Sequence, residues 1–119
     1  MAQVEGIGTM TRLKPELDEC GWADNSITSL LCPLCGGNNL HHGAVTVFSR
    51  SQDDDNVRRT IVDRNSVTVR DMPNNVSGNP SSRRNGLRIG FECENCDTAE
   101  LSLDIWQHKG TTYVVWKQP

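Results

Sequence analysis

Four of the five cysteines form two pairs with the same spacing: Cys32 and Cys35, then Cys93 and Cys96. A gap of two residues lets both sulfurs of a tight turn point at one ion, while backbone amides of the turn stabilise the thiolates. Pro33 stiffens the first turn, and Gly36 follows it at a place where the chain often needs a positive φ. Four thiolates suit tetrahedral Zn²⁺, so the spacing predicts one structural zinc ion per chain.

Three other uses of these cysteines are weaker. Two disulfides would require an oxidising compartment, for which the sequence shows no targeting signal. Thioredoxin-like chemistry would require one pair at the start of a helix in a βαβ unit, whereas both pairs lie among predicted strands. Iron in a rubredoxin-like site uses the same ligands, but the second turn, Cys93 to Asp97, lacks the Pro and Gly expected there.

The remaining residues of the metal-ligating types have less specific positions. Cys20 is isolated, and an isolated reduced cysteine is usually inert. His41 and His42 follow the first cysteine pair closely, but a complete set of four thiolates leaves them no ligand position, so packing or hydrogen bonding is the favoured role. His108 lies in a predicted hairpin turn, and the acidic run 53–55 is typical of a hydrated loop. The sequence leaves the roles of Cys20 and the histidines open.

Catalytic motifs are missing from the sequence. It contains no His-x-Glu with Pro-Cys-x-x-Cys, as in zinc deaminases, and no HExxH, GxSxG or Gly-rich phosphate loop. A zinc ion already saturated by four thiolates cannot activate water. We therefore expect a protein that is not an enzyme and that has no small-molecule substrate.

Positive charge is concentrated in one segment, although the net charge of the chain is −3. Residues 57–90 contain seven Arg against two Asp. The candidate partner-binding residues are Arg58, Arg59, Arg83, Arg84 and Arg88. Guanidinium groups suit carboxylates and phosphates equally, so a protein partner and a nucleic acid are both possible ligands. The overall acidity favours a protein partner, with nucleic acid as the alternative.

Composition limits the class of protein. A chain of 119 residues suggests one domain, and no apolar run is long enough to span a membrane. Leu, Ile, Val and Phe supply only 26 residues, which predicts a thin core that needs a metal or another cross-link. The amino end lacks a secretory signal pattern, so we expect a cytoplasmic protein with reduced cysteines.

Apolar residues alternate along several short segments, which indicates a mainly β fold with a small antiparallel sheet of about six strands. Two of these segments flank Asp63 to Ser66 and predict a hairpin. The stretch from Met72 to Gly86 reads as a long loop rich in Pro, Asn, Ser and Gly. We divide the chain into an acidic, poorly ordered arm over 1–26, with one possible helical turn at Pro15 to Cys20, and a β domain over 27–119. The hairpin and loop at 57–86 are inserted in that domain.

The strings CPLCGG and CENC, with the strands beside them, resemble the zinc ribbon family of the four-cysteine type. That resemblance implies two cysteine turns on β-hairpins that hold one zinc ion beneath a small antiparallel sheet. The 57 residues between the pairs exceed the usual spacing of roughly 15 to 20, which is why an insertion is expected. More loosely, the chain resembles small zinc-ribbon proteins of unassigned function in actinobacteria and their phages.

Overall fold

A computed structural model of the chain describes residues 13–19, 27–96 and 100–118. The described part is mainly β, as the alternating pattern predicted. Its strands are β1 Leu17–Glu19, β2 Thr28–Leu30, β3 Leu40–Ser49, β4 Asn56–Asp63, β5 Ser66–Pro73, β6 Gly86–Cys93, β7 Glu100–His108 and β8 Thr111–Lys117. One four-residue helix, α1 Asn74–Ser77, follows β5. No helix in these residues is long and apolar enough to cross a membrane.

Six strands form one antiparallel sheet in the order β5-β4-β3-β6-β7-β8, and β1 and β2 form a separate pair. The predicted hairpin is β4–β5, where Arg64 adopts a φ of 55° in the connecting turn. The turn after His108 also joins neighbours, with positive φ at both Lys109 and Gly110 as a type I′ turn requires. The prediction of about six strands in one sheet is therefore confirmed, and the two-stranded sheet is additional.

Two segments differ from the prediction. Leu17–Glu19, inside the proposed helical turn, is a strand that pairs with β2, because its backbone finds hydrogen-bond partners there. Most of the proposed arm 1–26 and Cys20 lie outside the described residues. The stretch from Met72 to Gly86 is not structureless, since β5 extends to Pro73 and α1 follows directly.

Side chains alternate between the two faces of the sheet, and the register aligns them in rows across all six strands. Two neighbouring rows on one face are apolar apart from Thr60. The first row is Val67, Val62, Val45, Ile89, Leu103 and Trp116. The second row is Val69, Thr60, Val47, Leu87, Ile105 and Val114. We call this side of the sheet the valine face and the other side the loop face.

A β-bulge in β3 shifts the pairing with β6 between His42 and Val45. Gly43 and Ala44 together lie opposite Gly90, two residues against one. Because the extra residue shifts the alternation by one, Leu40 and His42 before the bulge lie on the same face as Val45 and Val47 after it. The same strand therefore reaches from the cysteine pairs at one end to the β4 hairpin at the other.

The buried residues form two clusters on opposite faces. The first lies on the valine face at one end of the sheet and comprises Cys32, Cys93, Leu101, Leu103 and Trp116. The second lies on the loop face and comprises Phe48, Val57 and Met72. The residues between Pro73 and Gly86 lie along the loop face, where the Ser81 hydroxyl donates to the carbonyl of Gln107 at 2.7 Å.

Candidate metal centre

The two cysteine pairs come from turns that the sheet places next to each other. Cys32 and Cys35 lie in the turn between β2 and β3, whereas Cys93 ends β6 and Cys96 follows it. β3 and β6 are antiparallel neighbours, and Leu40 at the start of β3 is registered with Cys93. Pairing of these two strands therefore brings together two cysteine pairs that have 57 residues between them in the sequence.

The four sulfurs form one compact cluster, with every sulfur within 4.8 Å of the others. The Sγ atoms of Cys32 and Cys96 are 3.9 Å apart, and those of Cys35 and Cys93 are 3.6 Å apart. A tetrahedral zinc site with Zn–S bonds of about 2.3 Å has sulfurs about 3.8 Å from one another. The spacing of these sulfurs thus fits a tetrahedral metal ion, and the four predicted ligands are the four that meet.

Backbone amides support the first cysteine turn. The N–H of Leu34 donates to the Cys32 sulfur at 3.4 Å, and the N–H of Gly37 donates to the Cys35 sulfur at 3.3 Å. Gly36 donates to the Cys32 carbonyl at 2.9 Å and has a φ of 76°, which glycine adopts without strain. Donors aimed at sulfur favour the thiolate form that binds a metal.

The four sulfurs differ in exposure and acidity. Cys32 and Cys93 are buried, Cys96 is partly buried and Cys35 is exposed. Burial raises the pKa of the Cys93 and Cys96 thiols. Burial acts in the same direction at Cys35, but the hydrogen bond from Gly37 and the neighbouring thiols outweigh it and lower the pKa of that thiol. A metal ion would displace the remaining protons, since thiolates are the ligand form.

An apolar cluster surrounds the buried side of the cysteines. Trp116 is 1% exposed, and the Phe91 ring meets it edge-on with centroids 5.4 Å apart. Leu30 and Leu34 pack against the same cluster from the β2 strand and the first cysteine turn. The cysteine cluster therefore joins the β2–β3 connection to the sheet and closes one end of the valine face.

The histidines lie outside the sulfur cluster. His41 Nε2 is 2.9 Å from Glu94 Oε1, a contact that bridges β3 to the second cysteine turn. The backbone N–H of Glu94 also donates to the Asn39 carbonyl at 3.0 Å. His42 is exposed in β3, and His108 ends β7 beside the β7–β8 turn.

Three of the five arginines proposed for partner binding are paired with aspartates of this chain. Arg58 makes a bidentate contact with Asp71, and Arg83 does the same with Asp53, both at the surface. On the loop face, the Arg88 guanidinium contacts both carboxylate oxygens of Asp104, at 2.8 and 3.0 Å. The Asp104 side chain is only 2% exposed, so the third pair is buried on its acidic side.

The other two arginines contact neutral acceptors. Arg59 donates to the carbonyl of Ser77 at 3.1 Å, and Arg84 donates to the Gln52 side chain at 2.5 Å. Arg88 also donates to the carbonyl of Gly78 at 3.1 Å. Arg59 and Arg88 thereby hold the carbonyl of the last residue of α1 and that of its C-cap Gly78, since carbonyls at the end of a helix have no partner within the helix.

Sequence reasoning missed Asp104, although a signal for it was present. Leu101, Leu103 and Ile105 form one alternating set, which places Asp104 on the opposite face of β7. In β6, Arg88 lies between Leu87 and Ile89 and so points to the same face as Asp104. A contact between Arg88 and Asp104 could therefore have been proposed. The alternation alone does not give the register between β6 and β7, which determines which residues lie opposite each other.

The fold and the site together define the class: a mainly β chain whose four clustered cysteines can hold a metal ion. The chain was compared with protein-family models, curated proteins and solved structures, and none of them matches it.

Proposed function

We propose that this protein is a non-catalytic recognition module of the zinc-ribbon type, stabilised by one Zn²⁺ ion, and that it binds a protein partner. The zinc assignment is supported by the four clustered sulfurs, the amide donors around them and a separation that suits Zn–S bonds. Iron accepts the same ligands, so elemental analysis of the purified full chain decides the metal. One zinc atom per chain is the expected result.

The non-catalytic assignment follows from the ligand count. Four thiolates complete a tetrahedral shell, so a bound zinc ion would have no position for water or substrate. A cobalt-substituted protein tests this directly, because its absorption spectrum reports coordination. We expect a tetrahedral four-sulfur spectrum that small anions do not change. A spectrum that responds to anions would reveal an open site and contradict the proposal.

The observation that carries the protein-binding proposal is the valine face. Five valines on it have exposed fractions between 37% and 64%: Val47, Val62, Val67, Val69 and Val114. An apolar patch that is contiguous across several strands is often an interaction site. A flat apolar face suits another protein surface better than a polyanion, because nucleic-acid affinity is dominated by phosphate contacts.

Nucleic-acid binding through residues 57–90 is the alternative, and the arginine contacts support it less. Arg58, Arg83 and Arg88 already neutralise aspartates, so each would have to give up a pair to contact a phosphate. The double variant Arg83→Ala/Arg84→Ala tests this alternative. If nucleic acid is the ligand, affinity falls steeply with salt and the variant reduces the log–log slope by about two.

The deciding experiment is capture of partners by the tagged full chain from a lysate of the cells that encode it, with and without nuclease. We expect protein to be retained after nuclease treatment. Val67→Lys/Val69→Lys places two charges on the valine face and should abolish capture. Ser66→Lys/Thr68→Lys places the same two charges on the loop-face side of β5 and serves as the matched control. Capture that needs nucleic acid, or that both variants leave unchanged, would contradict the proposal.

A further inference from the structure

The two faces of the sheet are covered very differently. On the loop face, α1 and the residues that follow it cover Phe48, Val57 and Met72, which are at most 8% exposed. On the valine face, the cysteine turns cover only the end that contains Leu103 and Trp116. In the part of the chain that the structure describes, nothing packs over the rest of this face.

The uncovered part is continuous across the sheet. Val67 and Val62 are cross-strand partners on β5 and β4, and Ile105 and Val114 are partners on β7 and β8. Leu87 lies between them on β6, partly buried. The apolar rows therefore extend from one edge strand to the other, which is the pattern of a sheet packed against a second layer.

The lack of net charge on this face argues against a strongly acidic or strongly basic partner. Neither apolar row contains a charged side chain. The next position on β4 and β5 is occupied by Arg58 and Asp71, whose guanidinium and carboxylate satisfy each other at 2.8 and 3.0 Å. An apolar centre beside an ion pair that neutralises itself has no like-charge repulsion against an identical surface.

The exposed area also fits an identical partner. From the exposed fractions of the five valines and their partly buried neighbours, the face offers on the order of 500 Å² of apolar surface. Two such faces would bury on the order of 1,000 Å² in total, the lower limit for a specific interface. An interface of that size gives a weak and reversible complex.

The twist of the sheet also supports a second copy of this chain as the partner. Twisted antiparallel sheets pack face to face about 10 Å apart, with their strands rotated by about 30° or by about 90°. Two copies of one sheet have the same twist, so a two-fold axis through the centre of the face lets both pack with the same contacts.

We propose that the valine face is a homodimer interface, where two copies of this chain pack sheet against sheet. The inference rests on the proposed function, because it names the protein partner of that same face. In the dimer, the valines of one copy interdigitate with those of the other, and the two metal centres lie at the rim. The module then resembles a β-sandwich whose two layers come from two chains.

The test measures self-association of the zinc-loaded full chain by sedimentation velocity over a range of concentrations. We expect a reversible monomer–dimer equilibrium. Val67→Lys/Val69→Lys should raise the dissociation constant at least about tenfold, because two ammonium groups would be buried without partners. Ser66→Lys/Thr68→Lys carries the same charge on the other side of β5 and should change the constant by less than about twofold. Zinc content of each variant shows that the metal centre is intact.

A second measurement needs no variant. Valine methyl resonances of the wild-type chain, followed by NMR as concentration increases, should shift for Val67, Val69 and Val114. The methyls of Val115 on the loop-face side of β8 should stay constant. Shifts at Val115 alone, or equal effects of the two lysine pairs, would overturn the proposed interface.

The outcomes separate this inference from the proposed function. A wild-type chain that stays monomeric up to about 1 mM overturns the homodimer. If the monomer still captures a different protein and loses it in Val67→Lys/Val69→Lys, the recognition function stands with another occupant. If the chain is monomeric and no capture depends on the valine face, both proposals fail.

Discussion

The two buried clusters of this sheet are stabilised by different chemistry. At one end, four cysteine sulfurs close over Leu101, Leu103 and Trp116 on the valine face. At the other, the cluster around Phe48 is covered by a segment whose backbone carbonyls accept hydrogen bonds from Arg59 and Arg88. A chain with few large apolar residues thus has a four-cysteine cluster that can hold a metal ion on one face and guanidinium contacts on the other. Arginines that suggest ligand binding in the sequence act here as internal cross-links.

The largest loss of stability should come from a substitution in the four-cysteine cluster. Cys93→Ser removes a ligand from a site whose metal-binding free energy, about 10 kcal/mol or more, is also folding free energy. We expect loss of zinc and cooperative unfolding, because β6 connects both clusters. Elemental analysis measures the loss of zinc, and the tryptophan fluorescence of the chain, which includes the buried Trp116, measures unfolding. A folded, metal-free variant with unchanged fluorescence would show that the cysteine end does not depend on metal.

The next largest loss of stability should come from the ion pair between Arg88 and Asp104 on the loop face. Arg88→Met leaves the buried Asp104 carboxylate without its partner and removes a donor from the Gly78 carbonyl. Breaking such a pair costs about 3 kcal/mol of unfolding free energy, measured by urea denaturation. Zinc content should not change. The double variant Arg88→Met/Asp104→Leu should recover part of the loss, and a double variant as unstable as the single one would contradict the role of the ion pair.

A smaller loss of stability is expected when one glycine of β6, Gly86, is replaced by alanine, whereas replacement of Gly90 in the same strand should have little effect. Gly86 is buried on the loop face, and a Cβ there would overlap the Asn79 amide oxygen and the Pro80 ring. Gly86→Ala should therefore displace the covering segment and cost about 2 kcal/mol. At Gly90 a Cβ would meet its nearest neighbour, the Ala44 carbonyl, at an ordinary 3.5 Å. Gly90→Ala is the matched control, and equal melting temperatures for the two variants would refute the packing of this segment.

The smallest effects should come from the surface pairs. Hydrogen bonds and charge from Arg83 lower the pKa of Asp53, and those from Arg58 lower the pKa of Asp71. A lowered carboxyl pKa means that each pair stabilises the fold above the ordinary carboxyl pKa and loses that contribution as pH falls through the lowered value. Arg83→Ala should raise the pKa of Asp53 toward its ordinary range while that of Asp71 stays low. NMR titration of the carboxyl carbons measures both, and an unchanged pKa of Asp53 would disprove the pair in solution.

The four cysteines that cluster and the hairpin could be predicted from sequence because both have local signals. Two residues between cysteines and a polar turn between alternating segments need no knowledge of the rest of the chain. The covering segment was missed for the opposite reason. Its order depends on distant acceptors, such as the Gln107 carbonyl for Ser81, and on Arg59 and Arg88 from other strands. Pro, Asn, Ser and Gly favour a loop locally, and only tertiary contacts make that loop a fixed layer.

The open valine face was also beyond the reach of the sequence pattern. Alternation places Val67 and Val69 on the same side as Val62, but it does not say whether that side is covered. The usual expectation is that the apolar side of a sheet is buried and the polar side is solvated. Here the side with Arg88 and Asp104 is covered instead, because a buried, paired aspartate and a short helix supply its contacts.

The long separation between the cysteine pairs also orders events during folding. Closing a loop of 57 residues costs conformational entropy that the two cysteines of one turn cannot offset alone. The sulfurs meet only when β3 pairs with β6, a contact between segments far apart in sequence, and such contacts form slowly. In the proposed zinc-bound protein, we therefore expect each cysteine pair of the nascent chain to be a half-site from which an ion dissociates readily. We expect metal binding to be a late step that stabilises a strand pairing already made, rather than the nucleus from which the sheet grows.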